Sequence, residues 1–317
     1  MAGREAGVAG RDAGVVGERR WYWPAFAAPG IAWLLVLFVT PFYAVVAVAM
    51  GGLDPILGQP VPAWWPGSWD ASTLRQVTDS LLGHPPPLFP NLQPVFVRTV
   101  AYVFVATVLC ILIGYPVAYY IARHAGRRKV LLLVLLIAPF WMSYLMRMLA
   151  WVNLLQTEGY VNRVLTFLHV LPEPRNWLAG DPIAVVLGLV YGYIPYFILP
   201  LYAALDRIDR SHIEAARDLG ASPARTFLRV TLPLSRQGLL AATVIIMLPM
   251  FGDYYTPDLL SGNPDTSMFG NFINQFLHTR FGQPQGASLT LLLSAFVAVL
   301  MLYYVLSVAR AAREARR

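Results

Sequence analysis

Residues 182–260 read PIAVVLGLVYGYIPYFILPLYAALDRIDRSHIEAARDLGASPARTFLRVTLPLSRQGLLAATVIIMLPMFGDYYTPDLL, and they are the most informative part of the chain about its fold. Two apolar runs, 182–205 and 238–260, enclose a charged segment, 206–237. Each run is near the length of roughly 20 residues that a helix needs to cross the hydrocarbon core of a bilayer. The pattern therefore predicts two membrane-spanning helices joined by a polar loop.

Four further apolar runs of similar length follow the same pattern. They lie at residues 31–50, 99–122, 130–152 and 287–309. The composition agrees, because 57% of the residues are hydrophobic and 13% are charged, and the mean hydropathy is +0.55. Backbone groups in lipid must be hydrogen-bonded within the segment, and the runs lack the alternating pattern of barrel strands. We therefore predict an all-α polytopic membrane protein with six transmembrane helices.

The ends of the chain have a different composition. The first apolar run is too long for a cleavable signal, Pro29 and Pro41 bracket it, and no small-residue cleavage site follows it. Residues 1–20 are rich in Gly, Ala and charge, which predicts a disordered tail. The transmembrane domain is predicted at 21–310 and a short tail at 311–317.

The basic residues predict the orientation. Of the 24 Lys and Arg residues, 18 lie in the N-terminal tail, the second and fourth connections and the C-terminal tail. Short cytoplasmic loops retain Lys and Arg, so both termini and the loop 206–237 are predicted to be cytoplasmic. The insertion 51–94 between the first two spans is then extracytoplasmic. This asymmetry accounts for the net charge of +7 without a nucleic-acid partner.

The loop 206–237 has the signals of two short helices. Ser211 followed by Glu214 forms a capping box, which predicts a helix from Ser211 to Leu219. Gly220 ends that helix, because glycine adopts the left-handed conformation at low cost. Any long structured loop can fold into capped helices, so these capping signals alone do not indicate a function.

A second helix is predicted to begin with Ser222 as N-cap and Pro223 at its first position, and to end at Thr231 and Pro233. The pair resembles the first two helices of a DNA-binding helix-turn-helix. A helix tethered to the bilayer at both ends cannot enter a major groove, so this alternative is rejected.

The same loop resembles the motif of permease subunits of binding-protein-dependent ATP-binding-cassette (ABC) importers, which is EAA, three residues, Gly, nine residues, Ile, any residue, Leu-Pro. The matching residues are Glu214, Ala215, Ala216, Gly220, Val230, Leu232 and Pro233. Valine replaces isoleucine and keeps an apolar contact. The resemblance implies a type I importer permease fold, and it implies that these residues couple the chain to an ATPase subunit.

Residues 94–310 resemble the spermidine/putrescine-type permeases, notably at LIGYPVAYYIAR, APFWMSYLMRMLAW and FGDYYTPDLLSG. Related iron, thiamine and opine importers share parts of these strings. The resemblance implies two nucleotide-binding subunits that carry ATP–Mg, a second permease, which we expect to be a paralogue, an extracytoplasmic substrate-binding protein, and a bacterial inner membrane location. The insertion 51–94 departs from the pattern. Its Trp64, Trp65 and Trp69 are typical of an interfacial belt, with a ligand platform as the alternative.

The sequence contains no recognisable catalytic motif and no metal-binding motif. The chain lacks GxxxxGK[ST] and HExxH, and its five histidines have no metal spacing. Its one cysteine, Cys110, lies in the apolar run TVLCILIG and is interpreted as a small buried hydrophobe. We expect no enzyme activity and no cofactor of its own. A secondary transporter and an intramembrane enzyme are alternatives, but neither internal repeats nor a facing nucleophile and base are evident.

Two charges embedded in apolar sequence are candidates for the substrate pathway, because ionisable groups are costly in a membrane. They are Arg147 and Asp253, and they alternatively pair with each other or lie at the lipid interface. Asp253 is expected about 22 Å along the fifth helix, near its outer end. Carboxylates and aromatic faces suit a polyamine cation. The further candidates are Asp258, Tyr254, Tyr255, Trp141 and Tyr144. Arg147 is expected to order helix packing or a gate.

Overall fold

The computed structural model describes residues 22–87 and 89–314, so the predicted tail 1–20 lies outside the described residues. The chain divides into two units, one ending at Val45 and one beginning at Val46. Helix α1 (Tyr22–Ala49) contains Pro29 and Pro41 within its length, so it begins earlier than the predicted run.

The insertion after α1 holds a small antiparallel hairpin and one helix. Strands β1 (Gly52–Leu53) and β2 (Pro60–Val61) pair so that Gly52 faces Val61. Helix α2 (Ser72–Leu81) follows. The three tryptophans of the insertion, at positions 64, 65 and 69, are exposed. The next helix begins at Gln93, so the last two residues of the predicted insertion belong to that helix.

The chain after the insertion is helical. Its helices are α3 (Gln93–Arg123), α4 (Lys129–Ile137), α5 (Tyr144–Leu155), α6 (Tyr160–Phe167), α7 (Pro182–Asp206), α8 (Arg210–Asp218), α9 (Pro223–Thr226), α10 (Leu232–Phe251), α11 (Tyr255–Leu260), α12 (Phe269–His278) and α13 (Gln283–Glu314). Among residues 22–87 and 89–314, five helical stretches are long and apolar enough to cross a membrane, α1 included, and a bent pair raises the number to six. The all-α prediction is confirmed. Helix α13 continues to Glu314, into the segment predicted as a tail.

The third predicted span, 130–152, is not one continuous helix. The helical stretch Gly126–Trp141 and helix α5 meet at 89°. Pro139 lies just before the break, where proline lacks a backbone donor and crowds the preceding turn. Met142 and Ser143 are extended, and the Ser143 hydroxyl accepts a hydrogen bond of 3.3 Å from Met146 N. The run 130–152 is hydrophobic throughout, so its hydropathy does not show that Pro139 stops one helix and Ser143 caps the next.

The fifth span was predicted at 238–260, with a separate short helix before it. Instead, one helical stretch runs from Pro223 to Phe251. Thr231 and Pro233 do not end a helix, because a π-helical turn (Phe227–Thr231) precedes Pro233 and leads directly into α10. A wide turn relieves the clash that proline makes with the carbonyl group four residues earlier.

The main core lies among α3, α7 and α10. Its fully buried side chains include Ala106 and Cys110 from α3, Phe197 and Leu201 from α7, and Ile246 from α10. Cys110 is completely buried, as its apolar surroundings in the sequence predict. This core holds the two ends of α10 in place, and both candidate functional regions lie at those ends.

Candidate functional site

Helix α8 begins with an N-cap from Asp209. Its Oδ1 accepts a hydrogen bond of 3.0 Å from Ser211 N. This backbone hydrogen bond is the main cause that lowers the pKa of the Asp209 carboxyl. The prediction that Ser211 caps the helix was wrong, because the aspartate two residues earlier reaches the free N–H group first and places Ser211 in the first turn.

The end of α8 confirms the predicted conformation of Gly220. This residue has φ of +81°. Gly220 N donates to Arg217 O over 2.8 Å, and Ala221 N donates to Ala216 O over 3.0 Å. The two bonds form a Schellman motif, in which the left-handed residue satisfies the last carbonyl groups of the helix. The chain therefore turns sharply after α8 and does not continue as a longer helix.

Helix α9 begins as the sequence predicts. The Ser222 hydroxyl accepts a hydrogen bond of 3.4 Å from Arg225 N, and Pro223 occupies the first turn. Ala216, Gly220 and Val230 line one cavity of about 280 Å³ between the two helices. The fold thus brings together motif residues that lie up to 14 positions apart. Leu232 packs against the main core and Pro233 is exposed.

The outer surface of this loop is open. Within the described part of the chain, no residue of α8 is buried. Glu214 and Ala215 are exposed, Ala216 is half-buried, and the side chain of Leu219 is 90% exposed. The loop therefore presents the Glu214 side of α8 and the Leu219 side chain on its outer surface.

The second candidate region surrounds Asp253, which does not lie on the fifth helix as predicted. It lies in the short connection between α10 and α11, where its Oδ1 accepts a hydrogen bond of 3.1 Å from Thr256 N. Its Oδ2 accepts hydrogen bonds from the hydroxyl groups of Tyr144 (3.0 Å), Tyr193 (3.3 Å) and Thr256 (2.7 Å). Asp253 is 7% exposed. Four donors replace the water that a buried carboxylate loses.

Two glycines of α7 make room for this arrangement. A Cβ atom on Gly192 would lie 3.1 Å from the ring of Tyr144, and one on Gly188 would lie 2.6 Å from the side chain of Thr256. Small residues four positions apart let neighbouring elements approach a membrane helix closely. The α7 surface therefore positions both hydroxyl groups against Asp253.

Arg147 lies one turn after Tyr144 on α5, and it is 5% exposed. Its guanidinium carbon is 4.0 Å from the ring centroid of Phe140 and 5.4 Å from that of Tyr144. Across residues 22–87 and 89–314, neither Arg147 nor Asp253 forms an ion pair, so the suggested pairing between them is absent. Aromatic faces stabilise this cation instead.

The remaining candidates divide into two groups. Tyr254 and Tyr255 stack with ring centroids 4.2 Å apart, and Asp258, three residues after Tyr255, is exposed. Asp258 Oδ1 accepts a hydrogen bond of 2.6 Å from Asn271. Trp141 is not part of the cluster, because it precedes the break in the third span and its side chain is 79% exposed.

Sequence reasoning missed the residues that hold the two charges. Tyr193 and Thr256 bind Asp253, and Phe140 stacks on Arg147. Hydroxyl and phenyl side chains are common in membrane helices, so the sequence does not show which of them contact a charged residue. That depends on how the helices pack. Among the described residues, no group of three or more His, Cys, Asp or Glu side chains is arranged to hold a metal ion.

Several known proteins are similar to this chain. The family described as binding-protein-dependent transport system inner membrane component matches residues 110–313. The spermidine/putrescine transport system permease protein PotB of Escherichia coli (strain K12) is 37% identical over 218 residues, which cover 68% of this chain and 78% of PotB. PotB of Haemophilus influenzae (strain ATCC 51907 / DSM 11121 / KW20 / Rd) is 38% identical over 201 residues, which cover 63% of this chain and 69% of that protein.

The fold has a counterpart among solved structures. A chain of a bacterial alginate ABC transporter, in complex with a periplasmic protein that holds an alginate pentasaccharide, is similar with a TM-score of 0.62 at 18% identity. The similarity covers 93% of this chain and 95% of that one. The multi-pass helical architecture, the loop motif and the family match agree, and this chain belongs to the binding-protein-dependent transport system inner membrane components.

Proposed function

We propose that this chain is the permease subunit of an ABC importer that carries a polyamine such as spermidine or putrescine. The observation that carries the proposal is the buried carboxylate of Asp253, which is held by hydroxyl groups and has no cationic partner among the described residues. The similarity to the PotB proteins, which are spermidine/putrescine permeases, supports the same ligand class.

The pathway is proposed to receive its cation on α11. Exposed Asp258 and the half-exposed ring of Tyr255 offer a carboxylate and an aromatic face where an amine first arrives. Asp253 then binds an amine when a tyrosine hydroxyl gives up its hydrogen bond. A polyamine has amines along an apolar chain, so two carboxylates beside stacked tyrosines fit it. Arg147, packed on Phe140, orders the break in the third span.

The orientation is proposed from the positions of the basic residues. Lys129 and Asp206 form an ion pair of 3.2 Å, which joins the second connection to the end of the fourth span. Arg236 and Arg310 line one cavity at the ends of α10 and α13. The basic ends of several spans thus lie together, as expected of the cytoplasmic side. Both termini are then cytoplasmic and the insertion 51–94 is extracytoplasmic.

The partners are proposed from the loop. The exposed helix α8 docks on a nucleotide-binding subunit, and two such subunits bind and hydrolyse ATP–Mg. A second permease, expected to be a paralogue, completes the pathway, because these spans enclose half of it. An extracytoplasmic binding protein delivers the ligand. The alginate transporter of similar fold was crystallised with a periplasmic protein, which supports such a partner here.

Coupling is proposed to travel along one helix. The stretch Pro223–Phe251 has 29 residues and extends about 43 Å at 1.5 Å per residue. The loop 206–237, which contains the EAA motif and is called the EAA loop below, leads into one end of this helix. Asp253 lies just beyond the other end. When ATP closes the nucleotide-binding subunits, movement of α8 shifts this helix and biases the bundle toward the outward-facing state.

The test is uptake by the assembled complex in proteoliposomes. Radiolabelled spermidine and putrescine should accumulate only with ATP and binding protein, and each should inhibit uptake of the other. Iron, thiamine and opines serve as competitors for the related importer classes. Uptake driven by an ion gradient without ATP would instead indicate a secondary transporter. Failure of both polyamines, with uptake of another ligand, would reject the polyamine assignment.

A further inference from the structure

A cavity lies between α10 and α13 at the ends of these helices that are near the EAA loop. Its volume is about 390 Å³. The lining includes Arg236, Gln237 and Leu240 from α10, and Tyr303, Leu306 and Arg310 from α13. The cavity is remote from Asp253, which lies beyond the opposite end of α10.

The charge of this cavity is positive and uncompensated. In the part of the chain that the structure describes, neither Arg236 nor Arg310 forms an ion pair, and no acidic residue lines the cavity. Exposed arginines at the ends of membrane helices are ordinarily solvated or extend separately toward the interface. Here two arginines line one cavity, together with the amide of Gln237 and the phenol of Tyr303. These hydrogen-bond donors suit the oxygen atoms of a phosphate group.

The surface beside the cavity is apolar. Along α13, Val299, Leu302 and Leu306 are between 48% and 65% exposed. A soluble phosphate needs no such surface, whereas a phospholipid places its acyl chains against it. Basic pockets between transmembrane helices bind anionic lipid head groups. The combination of two free guanidinium groups and an adjoining aliphatic surface therefore favours a lipid.

We propose that this cavity binds the head-group phosphate of an anionic phospholipid. Arg236 and Arg310 hold the phosphate oxygens, Gln237 and Tyr303 supply neutral donors, and the acyl chains lie along the exposed face of α13. Arg236 lies three residues after Pro233, on the helix that continues from the EAA loop, so the bound lipid contacts the element that carries coupling. The proposal does not depend on which solute is transported.

The test measures lipid retention by the assembled transporter in nanodiscs of phosphatidylcholine with added phosphatidylglycerol. After detergent exchange, phosphatidylglycerol bound per complex is quantified by mass spectrometry. The double variant Arg236→Gln with Arg310→Gln should bind phosphatidylglycerol roughly thirtyfold more weakly, as expected from the loss of two charges near the surface. The control Arg75→Gln removes an exposed arginine from α2 and should leave retention unchanged.

Equal retention in the wild type and the double variant would overturn the proposal, as would an equal loss in Arg75→Gln or equal retention of phosphatidylcholine. Displacement of the lipid by millimolar inorganic phosphate would show a site for soluble phosphate and would reject the lipid. If the double variant does not assemble, Arg310→Gln alone, at the exposed end of the last helix, should lose about fivefold. Unchanged retention in that variant would also overturn the proposal.

Discussion

The hydroxyl group of Tyr144 donates a hydrogen bond of 3.0 Å to Oδ2 of Asp253, although 109 positions separate the two residues. The bond joins the first turn after the break in the third span to the connection between α10 and α11. It therefore connects two irregular points of the backbone inside a helical protein. Irregular backbone at membrane depth is tolerated where it is buried in protein or lines a cavity. This junction belongs to the substrate pathway that we propose.

Replacing Asp253 with asparagine should raise KM for spermidine roughly tenfold, because the change keeps the shape of the side chain and removes the charge that an amine binds. Uptake is measured in proteoliposomes that contain the full complex, with ATP hydrolysis followed in parallel. Asp265→Asn, at an exposed position nearby in the chain, is the matched control. Unchanged uptake kinetics in Asp253→Asn would show that the cation assignment is wrong, although the permease assignment would stand.

Removing the hydroxyl groups that hold Asp253 should change uptake through that carboxylate. Tyr144→Phe and Tyr193→Phe should each alter KM in the wild type and have little further effect when Asp253 is asparagine. The coupling in a double-mutant cycle should be about 1 kcal/mol. Tyr191→Phe is the control, since the Tyr191 ring packs against Trp151 without touching Asp253. Additive effects on KM would show that the tyrosines do not act through Asp253.

Gly220 should tolerate asparagine better than alanine, and alanine better than valine. Apart from Gly220 and its two chain neighbours, no residue lies within 4 Å of a Cβ placed at this position, so the cost is conformational and arises from φ of +81°. A left-handed residue other than Gly or Asn costs roughly 1–2 kcal/mol, and a β-branched residue more. Gly220→Val should lower binding-protein-stimulated ATP hydrolysis and leave membrane insertion intact. Equal hydrolysis in all three variants would remove this loop from the coupling mechanism.

The N-cap of α8 predicts different effects for substitutions at Asp209 and at Ser211. Asp209→Ala should increase amide hydrogen exchange in the first turn of α8, because Ser211 N loses its acceptor. Ser211→Ala should leave exchange nearly unchanged. The pKa of Asp209 is lowered in the folded state, so the cap is fully present above the ordinary aspartate pKa and is lost as pH falls through the lowered value. Faster exchange in Ser211→Ala than in Asp209→Ala would contradict the observed cap.

The orientation can be tested with reporters. A fusion after Arg317, or an accessible cysteine within 206–237, should behave as cytoplasmic, whereas a label within 51–94 should be reached from outside. The lone native cysteine, Cys110, is buried and should not react in intact cells. Opposite labelling at either place would overturn the predicted topology.

The sequence predicts local features well where the cause is local. Gly220 and Ser222 with Pro223 act within one turn of their own positions, and the structure has them as predicted. One error was local, because Asp209, two residues before Ser211, caps α8 instead. Another error had a more distant cause. The π-helical turn before Pro233 continues a helix that proline was expected to end, because the helix that follows is packed into the core.

The amino-acid sequence was sufficient to establish that the chain is helical and multi-pass, because apolar runs of bilayer length leave the backbone no other way to satisfy its hydrogen bonds. It also indicated the EAA loop, because the turn at Gly220 and the cap at Ser222 depend on a few adjacent residues, although the cap of α8 is Asp209 and not the predicted Ser211. The position of Asp253 and the groups that bind its carboxylate depend on how distant helices pack. Its donors come from α5, α7 and α11, and Tyr144 reaches it only because the third span bends by 89° and Gly192 leaves room for the ring. Such contacts depend on packing between distant segments, and hydropathy along the chain does not specify that packing.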